Sequence, residues 1–160
     1  MITRLTFNQQ QDLTPTWSPD GRAIVFQAND GQLYLVRSNG GTPRALGTVA
    51  GSAPRWSPDG RSIAFLHHGR HIALKVVRAD GTRARVVHEA TLRERYAALA
   101  WSPDGRAIAV SVVHVSDDPA RPYHGNELVI VPLDGARPRR VVIPAIPRTA
   151  RSEFYGLDWK

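Results

Sequence analysis

The hexapeptide WSPDGR occurs three times, at residues 17–22, 56–61 and 101–106. An enzyme centre is assembled once, from unlike residues, and has no use for three copies. A repeated structural unit does, because every copy meets the same local folding problem. Within each copy, SPDG supplies what a type I turn asks for. Ser suits the first position, Pro presets φ at the second, Asp tolerates the third, and Gly accepts the positive φ that follows. Such a turn closes a hairpin with a bulge at the glycine. β-prone stretches flank it on both sides: TPTW, APRW and ALAW before, AIVFQ (23–27), SIAFL (62–66) and AIAVSVV (107–113) after.

The same order of signals follows each copy. NDG (29–31) leads into QLYLVRS, and NGG (39–41) into TPRALG. HGR (68–70) precedes HIALKVV, and ADG (79–81) precedes TRARVVH. The third copy makes a longer excursion, SDDPARPYHGN (116–126), before ELVIVPL, and DG (134–135) then precedes RPRRVVI. Each unit therefore reads as four strands joined by glycine-containing turns. Nowhere does the apolar spacing suit a long amphipathic helix. From Trp17 to Trp56 is 39 residues, from Trp56 to Trp101 is 45, and from Trp101 to Trp159 is 58. Roughly 40–45 residues is the period of a four-stranded β-propeller blade. The expected fold is all-β, a propeller of four-stranded antiparallel blades, with each tryptophan packing blade against blade.

These repeats, each followed by an Ile-Ala-Val/Phe-type strand and a later DG or NGG turn, resemble the WD-like Pro-Asp repeat of TolB-type β-propellers. The opening ITRLT is similar to the outer strand that precedes such a repeat. The resemblance implies a propeller that binds protein partners without catalysis. Similar repeats also build the propeller domains of prolyl-oligopeptidase-like serine peptidases, the alternative reading, whose catalytic domain would lie outside this chain. The resemblance also casts Trp17, Asp20, Gly21, Trp56, Asp59, Gly60, Trp101, Asp104, Gly105 and Trp159 as structural repeat positions.

The pattern divides the chain into an outer strand and connector (1–12), blades at 13–47, 48–89 and 90–145, and a connector with an inner strand (146–160). That is about three and a half blades, whereas TolB-type propellers typically have six. The chain is expected to be a piece of a longer protein. Otherwise it is completed by self-association, as a homodimer or larger species, through open blade edges. The opening MITRLTFNQQ lacks the apolar core of a signal peptide, so the chain as written reads as unexported. A periplasmic or envelope location would need an upstream signal. The longest apolar run is too short to span a bilayer, so no membrane insertion is expected.

Composition narrows the chemistry. With no cysteine, disulfides, thiolate metal sites and cysteine nucleophiles are excluded. No Gly-x-Ser-x-Gly elbow occurs, so no serine hydrolase centre is expected within the chain. Asp20, Asp59 and Asp104 sit in equivalent turns of different blades and cannot converge on one bond. Turn capping, with help from Arg22, Arg61 and Arg106, is their expected task. Adjacent His67 and His68 point to opposite faces of a hairpin, which favours a polar turn with His71 over a metal site. Asp117, Asp118, His124, Asn126 and Glu127 bring hard ligands together without calcium-loop spacing. No metal or cofactor is expected.

The net charge of +7 is spread evenly along the chain. Aromatic residues occupy strand positions rather than alternating with basic ones on one surface, so nucleic acid is not the expected partner. Binding is expected on the face formed by 7–13, 48–53, 89–96 and 145–154 with 28–32, 67–71 and 116–126, opposite the SPDG turns. Arg93, Arg95, Tyr123, Arg148 and Arg151 are its expected contact residues. Arg and Tyr combine apolar area with directed hydrogen bonds, and an acidic or carboxylate-bearing protein surface is the expected partner.

Overall fold

The computed structural model describes residues 11–117 and 123–142 together with Leu5, with the backbone alone for 123–126. The strand expected at 155–160 and most of that at 2–6 lie outside these residues. So do Trp159, Arg148, Arg151 and the side chain of Tyr123. Three four-stranded antiparallel sheets form in chain order. The first holds β1 (Asp12–Trp17), β2 (Ala23–Ala28), β3 (Gln32–Arg37) and β4 (Arg44–Ala50). The second holds β5 (Ser52–Trp56), β6 (Ser62–His68), β7 (Ile72–Arg78) and β8 (Arg85–Glu89). The third holds β9 (Glu94–Trp101), β10 (Ala107–Val115), β11 (Tyr123–Pro132) and β12 (Arg139–Val142). Within each sheet every strand pairs with its neighbour in sequence, and no helix occurs among the described residues. The first strands of successive sheets approach one another, β1 with β5 and β5 with β9, so the sheets stand as blades 1 to 3.

The SPDG turns form as their residues dictate. Gly21, Gly60 and Gly105 adopt φ of 69°, 68° and 69°, and their N–H groups donate to the carbonyls of Ser18, Ser57 and Ser102 at 2.9 Å. Each serine hydroxyl donates to the turn aspartate at 2.6 Å. The same aspartate oxygen accepts the backbone N–H of Arg22, Arg61 or Arg106. The arginine contribution is thus made first by the main-chain N–H, with the guanidinium charge a smaller help. The serine hydroxyl anchors the following strand by accepting the N–H of Ala23, Ser62 or Ala107 at 2.9 Å.

Alternation then decides the core. Trp17 pairs with Ile24, Trp56 with Ile63 and Trp101 with Ile108, so the three take equivalent positions, and Trp56 and Trp101 face the preceding blade. In β6, Ile63 and Phe65 enter one cluster with Val25, Leu33, Leu46, Val49 and Val77. The intervening Ala64 and Leu66 enter another with Leu74, Leu99, Ile108, Val110 and Val129. The middle blade is covered on both faces, and its central strand therefore reads as an unbroken apolar run. Fully burying a side chain such as Phe65 stabilises by about 1.5–3 kcal/mol.

Trp101 is 9% exposed and its indole N–H donates to the Arg55 carbonyl of blade 2 at 3.0 Å. Trp56 packs against the cluster between blades 1 and 2. Trp17 is 57% exposed, and no blade stands before it among the described residues. The excursion expected at 116–126 is shorter than read, since β10 continues to Val115 and β11 begins at Tyr123.

Two opposite ends of the blades follow from the hydrogen bonds. Beside the SPDG turns lie the β3–β4, β7–β8 and β11–β12 turns, joined by Ser38 N–H to Arg22, Ala79 N–H to Arg61, and Leu133 N–H to Arg106. At the other end, the blade connectors meet the β2–β3, β6–β7 and β10–β11 loops. Gly51 N–H donates to Gly31, Ala90 N–H to Ile72, and Val115 N–H to Arg93.

Candidate functional site

The connector end differs from blade to blade, in contrast to the uniform turn end. In blade 2, His67 Nδ1 lies 3.0 Å from the Ala50 carbonyl, and His68 Nε2 lies 2.6 Å from Ser52 Oγ. Both imidazoles are engaged with the 50–52 connector. In blade 3, Arg93 pairs with Asp117 at 2.9 Å, with both side chains well exposed. Arg95 turns back on its own segment, donating to the carbonyls of Glu94 at 2.8 Å and Leu92 at 3.3 Å. The structure therefore brings Arg93, Arg95 and the Asp117 loop together, with Tyr123 at the start of β11 on the same end. A surface pair of this kind is weak and salt-sensitive, so Arg93 can exchange Asp117 for another carboxylate.

Just below this surface, a row of polar side chains crosses blade 3 on the side facing blade 2. Glu94 on β9 is buried, with its side chain 5% exposed, and meets Arg140 of β12 at 2.7 Å. Arg140 also meets Glu127 of β11 at 2.9 Å, and His114 of β10 stands 3.5 Å from Glu127. Burial raises the Glu94 carboxyl, but the Thr91 N–H and Arg140 outweigh that effect and hold it below its ordinary value. The Glu94 and Glu127 carboxylates in turn hold the Arg140 guanidinium above its own. From blade 2, His88 closes the row through a short hydrogen bond to the Tyr96 hydroxyl. Burial first, then the Arg140 charge, lowers the His88 pKa. Burial likewise raises that of Tyr96. Both carboxylates are tied to one guanidinium, which fastens β12 to β9 and β11, while the His88–Tyr96 bond joins blade 2 to β9.

Sequence reading missed this row. Its members lie on five strands of two blades, and only the ladder registers and the packing of blade 2 on blade 3 put them side by side. A Glu seven residues before the repeat tryptophan, at the start of a strand that is apolar from Tyr96 onward, is the one local signal.

No protein-family model and no curated protein sequence matches this chain. Solved structures do. TolB from Acinetobacter baumannii matches with a TM-score of 0.66 at 18% identity, over 88% of this chain and 34% of that one. A TolB-type protein from Agrobacterium tumefaciens matches with a TM-score of 0.63 at 20% identity, over 85% of this chain and 47% of that one. The fold is that of a TolB-like β-propeller. This TolB-like segment also matches the acylaminoacyl peptidase of Pyrococcus horikoshii, with a TM-score of 0.60 at 14% identity, over 83% of this chain and 25% of that one. The chain spans less than half the length of each. Among the described residues, no helix of this TolB-like chain is long and apolar enough to cross a membrane.

Proposed function

We propose that this TolB-like propeller is a non-catalytic scaffold that docks a protein partner on the connector end, around blades 2 and 3. One observation carries the reading. The turn end repeats the same Ser–Asp–Gly hydrogen bonds in three blades, whereas the connector end differs in every blade. In a repeat protein the uniform part builds the framework, and the varied loops on one face carry recognition. Arg93, Arg95, Tyr123, Arg148 and Arg151 would meet an acidic surface there. Arg93 would trade its exposed Asp117 partner for a carboxylate of the bound protein. Charge reversal at Arg93 and Arg148 is expected to slow association and weaken its salt dependence. The same reversal at Arg22 and Arg61, on the turn end, is expected to leave both unchanged, and the opposite outcome sinks the assignment.

The likeness to an acylaminoacyl peptidase favours a second reading, in which the segment belongs to the propeller of a serine peptidase. Sequencing the gene beyond residue 160 separates the two. A following hydrolase domain with a Gly-x-Ser-x-Gly elbow would favour the peptidase reading.

A further inference from the structure

On the turn end, a cleft of about 360 Å³ opens between blades 2 and 3, with Arg78, Arg83 and Arg85 on its rim and Trp101 among its walls. We propose that it binds a small organic oxyanion, a phosphate or carboxylate attached to a flat apolar group. The proposal is independent of the partner site, which lies at the opposite end.

The first argument is charge. Three arginines face one carboxylate, Asp59, in this cleft. The equivalent cleft between blades 1 and 2 has Arg22 against Asp20 and Asp59, so the sign of the net charge is reversed. Volumes of about 300–1,000 Å³ suit small molecules, and guanidinium forks match carboxylate and phosphate oxygens.

The second argument is a position occupied at one junction and open at the next. Arg44 pairs with Leu35 and Arg85 with Val76, which makes them equivalent. Arg44 donates across the first junction to the carbonyls of Ala79 and Asp80, at 3.1 and 3.5 Å. There the backbones of Gly47 and Gly81 come so close that a Cβ on Gly47 would stand 3.1 Å from the Gly81 carbonyl oxygen. In blade 2, His88 takes the place of Gly47, and a Cβ on Gly135, the blade 3 counterpart of Gly81, would meet nothing within 4 Å. The guanidinium groups of Arg78, Arg83 and Arg85 have no hydrogen bond or ion pair among the described residues.

The third argument is strain. Arg83 adopts φ of 55°, a region that disfavours any residue with a Cβ. Such outliers gather at ligand clamps, and this one holds an arginine at the rim of the cleft.

The test titrates the full chain, isotopically labelled, with inorganic phosphate, acetate, phenyl phosphate and benzoate, following backbone amides by NMR. Saturable shifts are expected at 57–62, 76–85 and 101–105, with the phenyl compounds binding more tightly than phosphate or acetate. Preference between phenyl phosphate and benzoate assigns the anion. Arg83→Ala and Arg85→Ala should each weaken binding about tenfold or more, equivalent to about 1.4 kcal/mol, whereas Arg22→Ala should not. Arg83→Gly should bind equally weakly yet melt no lower than the wild type, because glycine relieves the positive φ. The proposal is overturned if none of the four probes saturates at millimolar concentration. It is equally overturned if Arg85→Ala lowers stability, as loss of a junction staple would, while binding is unchanged.

Discussion

Two glycines in this propeller separate backbone conformation from crowding. Gly60, in the conspicuous repeat, has φ of 68°, and an added Cβ would lie 3.7 Å from Pro19 Cδ, an ordinary contact. Gly60→Ala therefore bears only the cost of an L-residue in the left-handed region, about 1–2 kcal/mol. Gly60→Val adds β-branching and should cost about 1–3 kcal/mol. Gly51, in no motif, is buried and free of the φ constraint, but its Cβ would collide with the Phe65 ring and lie 2.6 Å from the Leu66 carbonyl oxygen. The ring can turn. The carbonyl belongs to β6 between two blades and cannot easily withdraw. Overpacking of this kind costs about 1–3 kcal/mol and occasionally more, and the backbone obstacle puts Gly51→Ala at the upper end. Urea unfolding with linear extrapolation reads both, provided that the m-value is unchanged. Gly51→Ala should be the more destabilised. If Gly60→Ala proves equal or worse, the steric reasoning at the blade 1–blade 2 connector is wrong.

The tryptophans should diverge in the same assay: Trp101→Phe loses the Arg55 hydrogen bond and should cost about 1–3 kcal/mol, whereas Trp17→Phe should stay within about 0.5 kcal/mol. Arg140→Ala leaves the buried Glu94 uncompensated and should cost about 3 kcal/mol, with Glu94→Gln restoring part of the loss; full additivity of the two changes would refute the pairing. The Ser57 hydroxyl, then the Arg61 N–H, hold the Asp59 pKa below its ordinary 3.8, so its contribution is complete above that value and disappears as pH falls through the lower folded value. Asp59→Asn keeps an oxygen for both donors and has no proton to gain, so it should cost little at pH 7 and should flatten the loss of stability as pH falls below 3.8, as pH-dependent unfolding would read. Trp17 on the face of blade 1 away from blade 2, and Val141 on the face of blade 3 away from blade 2, are exposed apolar residues among the described ones, a condition that promotes association. Sedimentation at micromolar concentration should show dimers or larger species, reduced by Trp17→Glu; a compact monomer that binds no apolar dye would contradict this.

The fold was legible because its code is local. Ser18, Pro19, Asp20 and Gly21 lie next to one another, and their turn follows from their own preferences. The tertiary polar chemistry was not legible for the opposite reason. Glu94 and Arg140 are far apart in sequence, and a register shift between Ser111 and Val112 places Tyr96 and Glu94 toward blade 2. Without that shift, simple alternation from Trp101 would send both toward the other side. The relation of Arg44 to Arg85 is hidden likewise, because turns of different length separate each from its tryptophan and only pairing with Leu35 and Val76 aligns them. Arg93 and Arg95 were legible as exposed arginines at the connector end, but the Asp117 partner of Arg93 was not.

The central claim is that a protein partner meets the connector end of the propeller. Photo-reactive residues placed at Arg70 and Arg93 on that end, and at Arg22 and Arg61 on the turn end, test it directly in cells expressing the native partner. Adducts of one defined mass are predicted from the first pair alone. Adducts from the turn-end pair, with none from the connector end, would contradict the account.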